Sequence, residues 1–249
     1  MLVFPDLKCM FSTICKVGTN SLYNYWGSVM YGEEDPMLKK LRDGEEIGVD
    51  TWLVRHNIRK RIKKDFEVHW GPQGLWRVRQ GLVQEPIADY YKFAFVRNPW
   101  VRTVSAFREL IRRYPFGQAK ADEAAGLTYY EIHDLMNGHV SFENFINFIV
   151  NIERDHTDII NGHWRTQIIT LNMHHEVGKL EYDFLGKLEN ANEDMSRAQK
   201  HLGLEETKLA KEHVTATYDY KLYYTNSKTI DMLGEYYKED IETFGYDFS

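Results

Sequence analysis

Only two cysteines, Cys9 and Cys15, occur in the 249 residues of this chain, so no disulfide framework holds it together. Along one expected strand they would stand roughly 20 Å apart at about 3.3 Å per residue, too far to bridge. Their even spacing would put both on one face of that strand. This predicts two core thiols and fits a reducing, cytoplasmic setting. Long apolar runs are missing as well. No run reaches the roughly 18 residues that a membrane-spanning helix needs. The opening MLVFPDLKCMFSTICK carries Pro5, Asp6 and Lys8 where a secretory leader would be apolar, so no targeting segment is expected. There is no excess of positive charge: the formal net charge is −6. That argues against nucleic acid as a partner, and any anion must be caught by a local cluster. The G-x-x-x-x-G-K-[ST] phosphate loop is absent too, which counts against ATP or GTP. His174, His175 and Glu176 adjoin without helical spacing, so no metal is expected there or elsewhere.

What is present is ordinary globular composition: 43% hydrophobic, 27% charged, with 6 prolines and 17 glycines. A chain of this size can bury one substantial core, and one domain over 1–249 is expected. Aromatic content is 14%, with 16 tyrosines and 6 tryptophans. Most of these rings belong in a core. Trp52, Trp70, Trp76, Trp100 and Trp164 are also candidates to line a cleft for a sugar ring, a phenol or a small cationic metabolite.

Periodicity gives the organisation. Lys8 to Cys15 is expected as a buried strand, KVGTN as a turn, and Ser21 to about Tyr31 as a helix. Val54, Ile58 and Ile62 mark a helix whose run RHNIRKRIKK is read first as a solvated face and second as a contact for an anionic acceptor. Glu67 to Pro86 is expected to be loop-rich. Phe93 to Val96 is a strand, and Pro99 opens a helix with Asn98 as its cap. Val101, Val104, Phe107 and Ile111 form the expected buried stripe of that helix. Gly117 to Gly138 is an expected excursion. Ser141 caps the next helix, Asp183 to Leu188 is a short strand, and Gly203 ends the helix that follows. A final helix carries Ile230, Leu233, Tyr237, Ile241 and Phe244, closed by Gly245. Strands alternating with helices predict an α/β class with a central, mainly parallel sheet flanked by helices.

Two turns carry the chemistry. In CKVGTNSL a buried strand meets a glycine turn, and a helix opens with Thr19, Asn20 and Ser21. The N–H groups of such a start, the helix dipole and Lys16 together suit an anion, with Gly18 allowing close approach; a plain capped helix is the bland alternative. In YYKFAFVRNPWVRTVSAFREL a strand runs into Arg97, Asn98 and Pro99, and then into a helix bearing Arg102, Ser105 and Arg108. Arginine is the natural fork for phosphate. Two anion sites at the carboxyl ends of two parallel strands suggest a ligand with two separated phosphates.

These same residues carry a resemblance. CKVGTNSL is similar to the 5′-phosphosulfate loop of sulfotransferases, and FAFVRNPWVRTVSAF to their 3′-phosphate motif. NGHWRTQ, YDFLGKLENANEDM and the closing LYYTNSKTIDMLGEYYKEDIETFGYDF resemble the carbohydrate-type branch that includes the chondroitin and HNK-1 enzymes. The resemblance implies a three-layer P-loop-like fold and the donor 3′-phosphoadenosine 5′-phosphosulfate. Lys16, Gly18, Thr19, Asn20 and Ser21 would hold its 5′-phosphate, and Arg97 and Ser105 its 3′-phosphate. The run after the glycine is poorer in Thr and Ser than is usual in the family, and Thr166 stands where relatives often have proline. The acceptor is expected to be a carbohydrate or another small molecule, with its identity and the oligomeric state left open.

Sulfuryl transfer needs an in-line acceptor, charge neutralisation at the leaving oxygen and a base for the acceptor proton. Lys16 suits the second task. His69, in FEVHWGP, is the first candidate base and His163, in GHWRTQ, its rival, with Glu67 or Glu85 behind them. Two other classes remain in view: a phosphoryl transferase on a related scaffold, and a non-catalytic nucleotide- or glycan-binding protein.

Overall fold

The computed structural model describes residues 1–32, 34–46, 52–70, 76–78, 81–82, 89–113, 141–155, 162–172, 181–209 and 219–249. Its strands are β1 (Leu2–Phe4), β2 (Cys9–Ser12), β3 (Val68–Trp70), β4 (Trp76–Val78), β5 (Gly81–Leu82), β6 (Tyr91–Val96) and β7 (Phe184–Lys187). Its helices are α1 (Thr19–Tyr31), α2 (Pro36–Glu46), α3 (Trp52–Phe66), α4 (Pro99–Arg113), α5 (Phe142–Asp155), α6 (Gln167–Asn172), α7 (Ala191–His201), α8 (Ser227–Tyr236) and α9 (Lys238–Phe244). The chain divides into two compact units. The first is Met1–Thr13, Gly18–Phe95 and Asn172–Val214; the second is Ile14–Val17, Val96–Leu171 and Thr215–Ser249.

In the first unit the order of the larger sheet is β1-β2-β6-β7. A short turn at Pro5–Leu7 ends on Lys8 in the left-handed region, φ 46, and turns the chain back so that β1 pairs antiparallel with β2. β2 then pairs parallel with β6, Phe11 opposite Phe93. Alternation puts Phe4, Phe11 and Phe93 on one face. Trp26 of α1 covers that face, fully buried, with its ring 4.2 Å from that of Phe4. Burying side chains of this size contributes about 1.5–3 kcal/mol each. The smaller sheet, β3-β4-β5, is antiparallel.

Around the sheet, α2 begins on Asp35, whose Oδ1 accepts the N–H of Met37 at 2.9 Å. Its other oxygen accepts from Arg61 at 2.6 Å, and the Arg61 guanidinium lies 3.6 Å over the Tyr31 ring. Burial alone would raise the Asp35 pKa, but the Arg61 and backbone hydrogen bonds hold it below the usual carboxylate value. Lys63 pairs with Glu67 at 3.0 Å. The basic run of α3 is therefore partly neutralised, by Asp35 at Arg61 and by Glu67 at Lys63.

The second unit has a core of Trp100, Val104, Phe107, Phe145, Ile149, Leu233 and Tyr237. Pro99 opens α4, and Asn98 Oδ1 accepts the N–H groups of Trp100 and Val101 at 3.0 and 3.3 Å, as the Asn-Pro pair predicts. Ser141 Oγ caps α5 by accepting Asn144 N–H at 3.1 Å.

Several expectations are corrected. The strand expected over Lys8 to Cys15 stops at Ser12, so the even spacing of the cysteines no longer places them together. Cys9 is fully buried and its thiol is pushed up to about 12 by burial, whereas Cys15 sits half-buried in the following turn. The loop expected before Pro86 contains β3, β4 and β5, strands too short to show periodicity. The stripe of α4 is rotated: Ile111 is 40% exposed and Leu110 is buried instead. The final helix is broken at Tyr237, φ −98 and ψ 19, into α8 and α9. The expected excursion at Gly117 to Gly138 lies outside the described residues. No described helix is long and apolar enough to cross a membrane.

Gly186 of β7 tests the packing of the first unit. A Cβ there would stand 2.7 Å from Phe95 Cε1 and 3.1 Å from Asp194 Cβ, and Asp194 is itself held by Lys187 N–H at 2.7 Å. Gly186→Ala is expected to cost about 1–3 kcal/mol through overpacking, seen as a lower urea midpoint. An unchanged midpoint would show that the Phe95 ring yields freely.

Candidate functional site

β2 releases the chain into Ile14–Val17, the first segment of the second unit. Lys16 is left-handed there, φ 69, a conformation that costs a non-glycine residue about 1–2 kcal/mol. The next left-handed residue is Gly18, φ 74, which begins α1 with no side-chain cap. In the first unit Gly18 also lies under Leu188, whose Cδ1 would be 2.7 Å from a Cβ at this position. The backbone demands glycine, and a side chain here would also displace the Leu188 methyl.

The end of β6 meets the same turn. Arg97, the first residue beyond the strand, donates from Nη1 to the Lys16 carbonyl at 3.0 Å. Its own backbone is held by one side chain: Arg97 N–H donates to Gln167 Oε1 at 2.9 Å, and Gln167 Nε2 donates to the Arg97 carbonyl at 2.8 Å. Behind Gln167 is Asp240, fully buried. Its carboxylate accepts the N–H groups of Gln167 and Ile168 at 2.7 and 2.9 Å, capping α6. Burial pushes the Asp240 carboxyl up, against the pull of these N–H groups and of the nearby Arg102 charge.

Arg102 is the third element. The sequence presents it as one more anion-seeking group, but it is fully buried and its guanidinium is spent on the main chain. Nε donates to the Cys15 carbonyl at 3.0 Å, Nη1 to that of Arg165 at 2.8 Å and Nη2 to that of Gly162 at 3.0 Å. This clamps the Lys16 turn to the turn that carries His163. A Cβ at Gly162 would lie 3.6 Å from Cys15 Sγ, in ordinary van der Waals contact with it.

Of the residues singled out from the sequence, Lys16 and Arg97 are brought into contact, and His163 lies in the turn that Arg102 fastens to Lys16. Ser105 lies half-buried on α4. Thr19, Asn20 and Ser21 form the opening of α1 in the first unit. His69 occupies the middle of β3, opposite Arg77, and its side chain lies outside the described groups, as do those of Trp52, Trp70 and Trp76. Glu85, His174, His175 and Glu176 lie outside the described residues. Among those described, no group of His, Cys, Asp or Glu is placed to hold a metal. Trp100 and Trp164 are 5% and 4% exposed and belong to the core. Gln167 and Asp240 were not singled out from the sequence. Each lies inside a stretch that carries the resemblance, Gln167 in NGHWRTQ and Asp240 in the closing one, but neither position by itself points to a role.

The comparisons agree with this assembly of motifs. The sequence profile of the sulfotransferase family matches residues 1–247. Carbohydrate sulfotransferase 12 of Mus musculus is 29% identical over 147 residues, 55% of this chain and 34% of the relative. Carbohydrate sulfotransferase 14 of Danio rerio is 28% identical over 186 residues, 66% of this chain and 46% of the relative. Carbohydrate sulfotransferase 11 of Danio rerio is 27% identical over 176 residues, covering 66% and 49%. The chain thus spans between a third and a half of the length of these relatives. No solved structure matches it significantly. The expected resemblance to the carbohydrate-type branch is borne out.

Arg102→Met keeps the apolar stem but leaves three partly buried carbonyls without their donors. The expected cost is about 3–5 kcal/mol, the scale for removing one partner of a buried charged network, read from urea unfolding. Arg102→Lys, with one donor head, should recover only part of it. A loss below about 1 kcal/mol would mean that water replaces the guanidinium without penalty.

Proposed function

The chain belongs to the sulfotransferase family, and on that premise we propose that it is an enzyme moving a sulfuryl group from 3′-phosphoadenosine 5′-phosphosulfate to a hydroxyl or amine of a carbohydrate acceptor. The carbohydrate comes from the names of the relatives. The observation that carries the reading is the 3.0 Å hydrogen bond from Arg97 to the Lys16 carbonyl, which joins two motifs 81 residues apart in the chain. A nucleotide with phosphates on both the 5′ and 3′ carbons is the ligand that needs both motifs together. A P-loop-like arrangement of sheet and helices goes with this proposal, supported by the strand-turn-helix at β2 and α1.

The 5′ end is assigned to Lys16, Gly18, Thr19, Asn20 and Ser21. The left-handed backbone at Lys16 and again at Gly18 supports this. Alternation of hand is the form in which successive N–H groups of anion-binding loops turn to one side, and the helix start adds its dipole. The 3′-phosphate is assigned to Arg97 and Ser105. In the transfer the bond from sulfur to the bridging 5′-phosphate oxygen breaks and a bond from the acceptor atom to sulfur forms. The acceptor proton passes to a base, and adenosine 3′,5′-bisphosphate leaves. Lys16 neutralises the charge that grows on the bridging oxygen, an interaction strongest in the transition state. The base is His69 or His163. The first rests on its place in the chain ahead of β6, the second on the Arg102 clamp to the Lys16 turn.

Calorimetry with adenosine 3′,5′-bisphosphate and adenosine 5′-monophosphate tests the donor site. Arg97→Ala is expected to weaken the bisphosphate roughly ten- to a hundredfold, the worth of a charge-assisted fork, and the monophosphate much less. Equal losses would take Arg97 away from the 3′-phosphate, and tighter binding of ATP with Mg²⁺ than of the bisphosphate would replace the reading with phosphoryl transfer.

The two histidines are separated by turnover with labelled donor. Loss of the base should lower the rate roughly 10²–10⁴-fold while bisphosphate affinity survives. The variant that behaves so, His69→Ala or His163→Ala, identifies the base. Full activity in both would shift the role to an acidic residue, starting with Glu67.

A further inference from the structure

We propose that Gln167 is a positioning residue for the donor's 3′-phosphate, acting through Arg97; this rests on the nucleotide reading above. Arg97 stands where β6 has ended, so its main-chain N–H and C=O have lost the neighbours a strand would provide. A single amide replaces them. Gln167 Oε1 accepts Arg97 N–H at 2.9 Å and Nε2 donates to the Arg97 carbonyl at 2.8 Å. Glutamine is suited to this by chemistry. Glutamate in its charged form accepts but cannot donate, methionine has no N–H, and asparagine is one methylene shorter.

The orientation of the amide is dictated from both sides. Arg97 N–H requires the oxygen, and Asp240 Oδ2, 3.4 Å from Nε2, requires the nitrogen. Gln167 itself is held at its backbone by the same carboxylate at 2.7 Å and is fully buried. It therefore has no way to touch a ligand and acts only by fixing the residue in front of it. The fixed residue is the phosphate fork of the proposed site, half-buried, with one guanidinium nitrogen already on the Lys16 carbonyl. A fork anchored at its own main chain and at one nitrogen loses little freedom on meeting a phosphate, which is how preorganisation raises affinity.

The test is calorimetry on the full chain with adenosine 3′,5′-bisphosphate and adenosine 5′-monophosphate, for the wild type, Gln167→Met, Gln167→Glu, Arg97→Ala and the double variants. The preference for the bisphosphate is expected to fall about three- to tenfold in Gln167→Met, the scale of one or two neutral hydrogen bonds, with the monophosphate nearly unaffected. In the Arg97→Ala background the Gln167 change should add nothing, because its effect passes through Arg97. Gln167→Glu carries the test if Gln167→Met does not fold. Its preference should recover as pH falls, measured against the wild type at each pH, because a protonated carboxyl again offers both an acceptor and a donor. A general packing defect has no reason to follow that titration. If the wild type prefers the bisphosphate, Arg97→Ala abolishes the preference and folded Gln167 variants keep it in full, Gln167 does not position Arg97. If the wild type shows no preference, the nucleotide reading falls first and this role with it.

Discussion

The Arg102 guanidinium carries a full charge into the interior, and its three hydrogen bonds end on main-chain carbonyls, not on a carboxylate. A salt bridge would have held one side chain. Carbonyl acceptors hold the chain itself, and here they belong to Cys15, Gly162 and Arg165, in turns far apart in sequence. Removing a charge from water costs several kcal/mol even after relaxation. The geometry offsets this by satisfying five-donor chemistry at three points and by keeping the buried Asp240 charge near enough to attract it. Two segments without regular secondary structure are thereby given fixed positions within the second unit.

Lys16 shows why such a clamp is needed. A left-handed lysine is strained, and strain persists only where surroundings over-determine it. Here the carbonyl before it, that of Cys15, is taken by Arg102, and its own carbonyl by Arg97. Glycine at this position would relieve the backbone but would remove the ammonium. Gly18, two residues on, meets the opposite requirement: at φ 74 it needs a residue without a side chain, and the Leu188 methyl already occupies that place. The alternation of a charged and a bare residue in KVG thus reflects two different physical demands on neighbouring positions.

Much of this was legible where a local rule applies. Asn98 before Pro99, Ser141 before an apolar run and Gly245 after one each place a cap by chemistry that reaches no more than a few residues. The apolar strands β2 and β6 and their turns were legible for the same reason, and Lys16 and Arg97 were recognisable as parts of motifs. What escaped was non-local. Arg102 in the motif has the same letter whether it faces a phosphate or three carbonyls, and only burial decides. Gln167 and Asp240 are 73 residues apart, with no pattern linking them. β1 is three residues long, too short for periodicity against the adjoining Pro5. The break at Tyr237 carries no proline or glycine; its tyrosine hydroxyl is held by the Trp164 carbonyl at 2.5 Å, a partner that no helical pattern foretells.

That last contact belongs to a set. Tyr237 holds the Trp164 carbonyl, Asp240 caps α6 and orients Gln167, and the Asp247 carbonyl accepts from Asn98 Nδ2 at 2.9 Å. The end of the chain therefore secures both the cap that starts α4 and the turn that Arg102 grips. Sulfuryl transfer asks little covalent chemistry of a protein and depends chiefly on where charges are held. The turn at Lys16, near the start of the sequence, has no local reason to keep its left-handed geometry. The C-terminal helices supply that reason, through hydrogen bonds made only once α8 and α9 have docked. Stability of the C-terminal segment and the geometry of the Lys16 and Arg97 turns are consequently one property of the second unit, and a substitution that loosens α9 reaches Arg97 through Asp240 and Gln167.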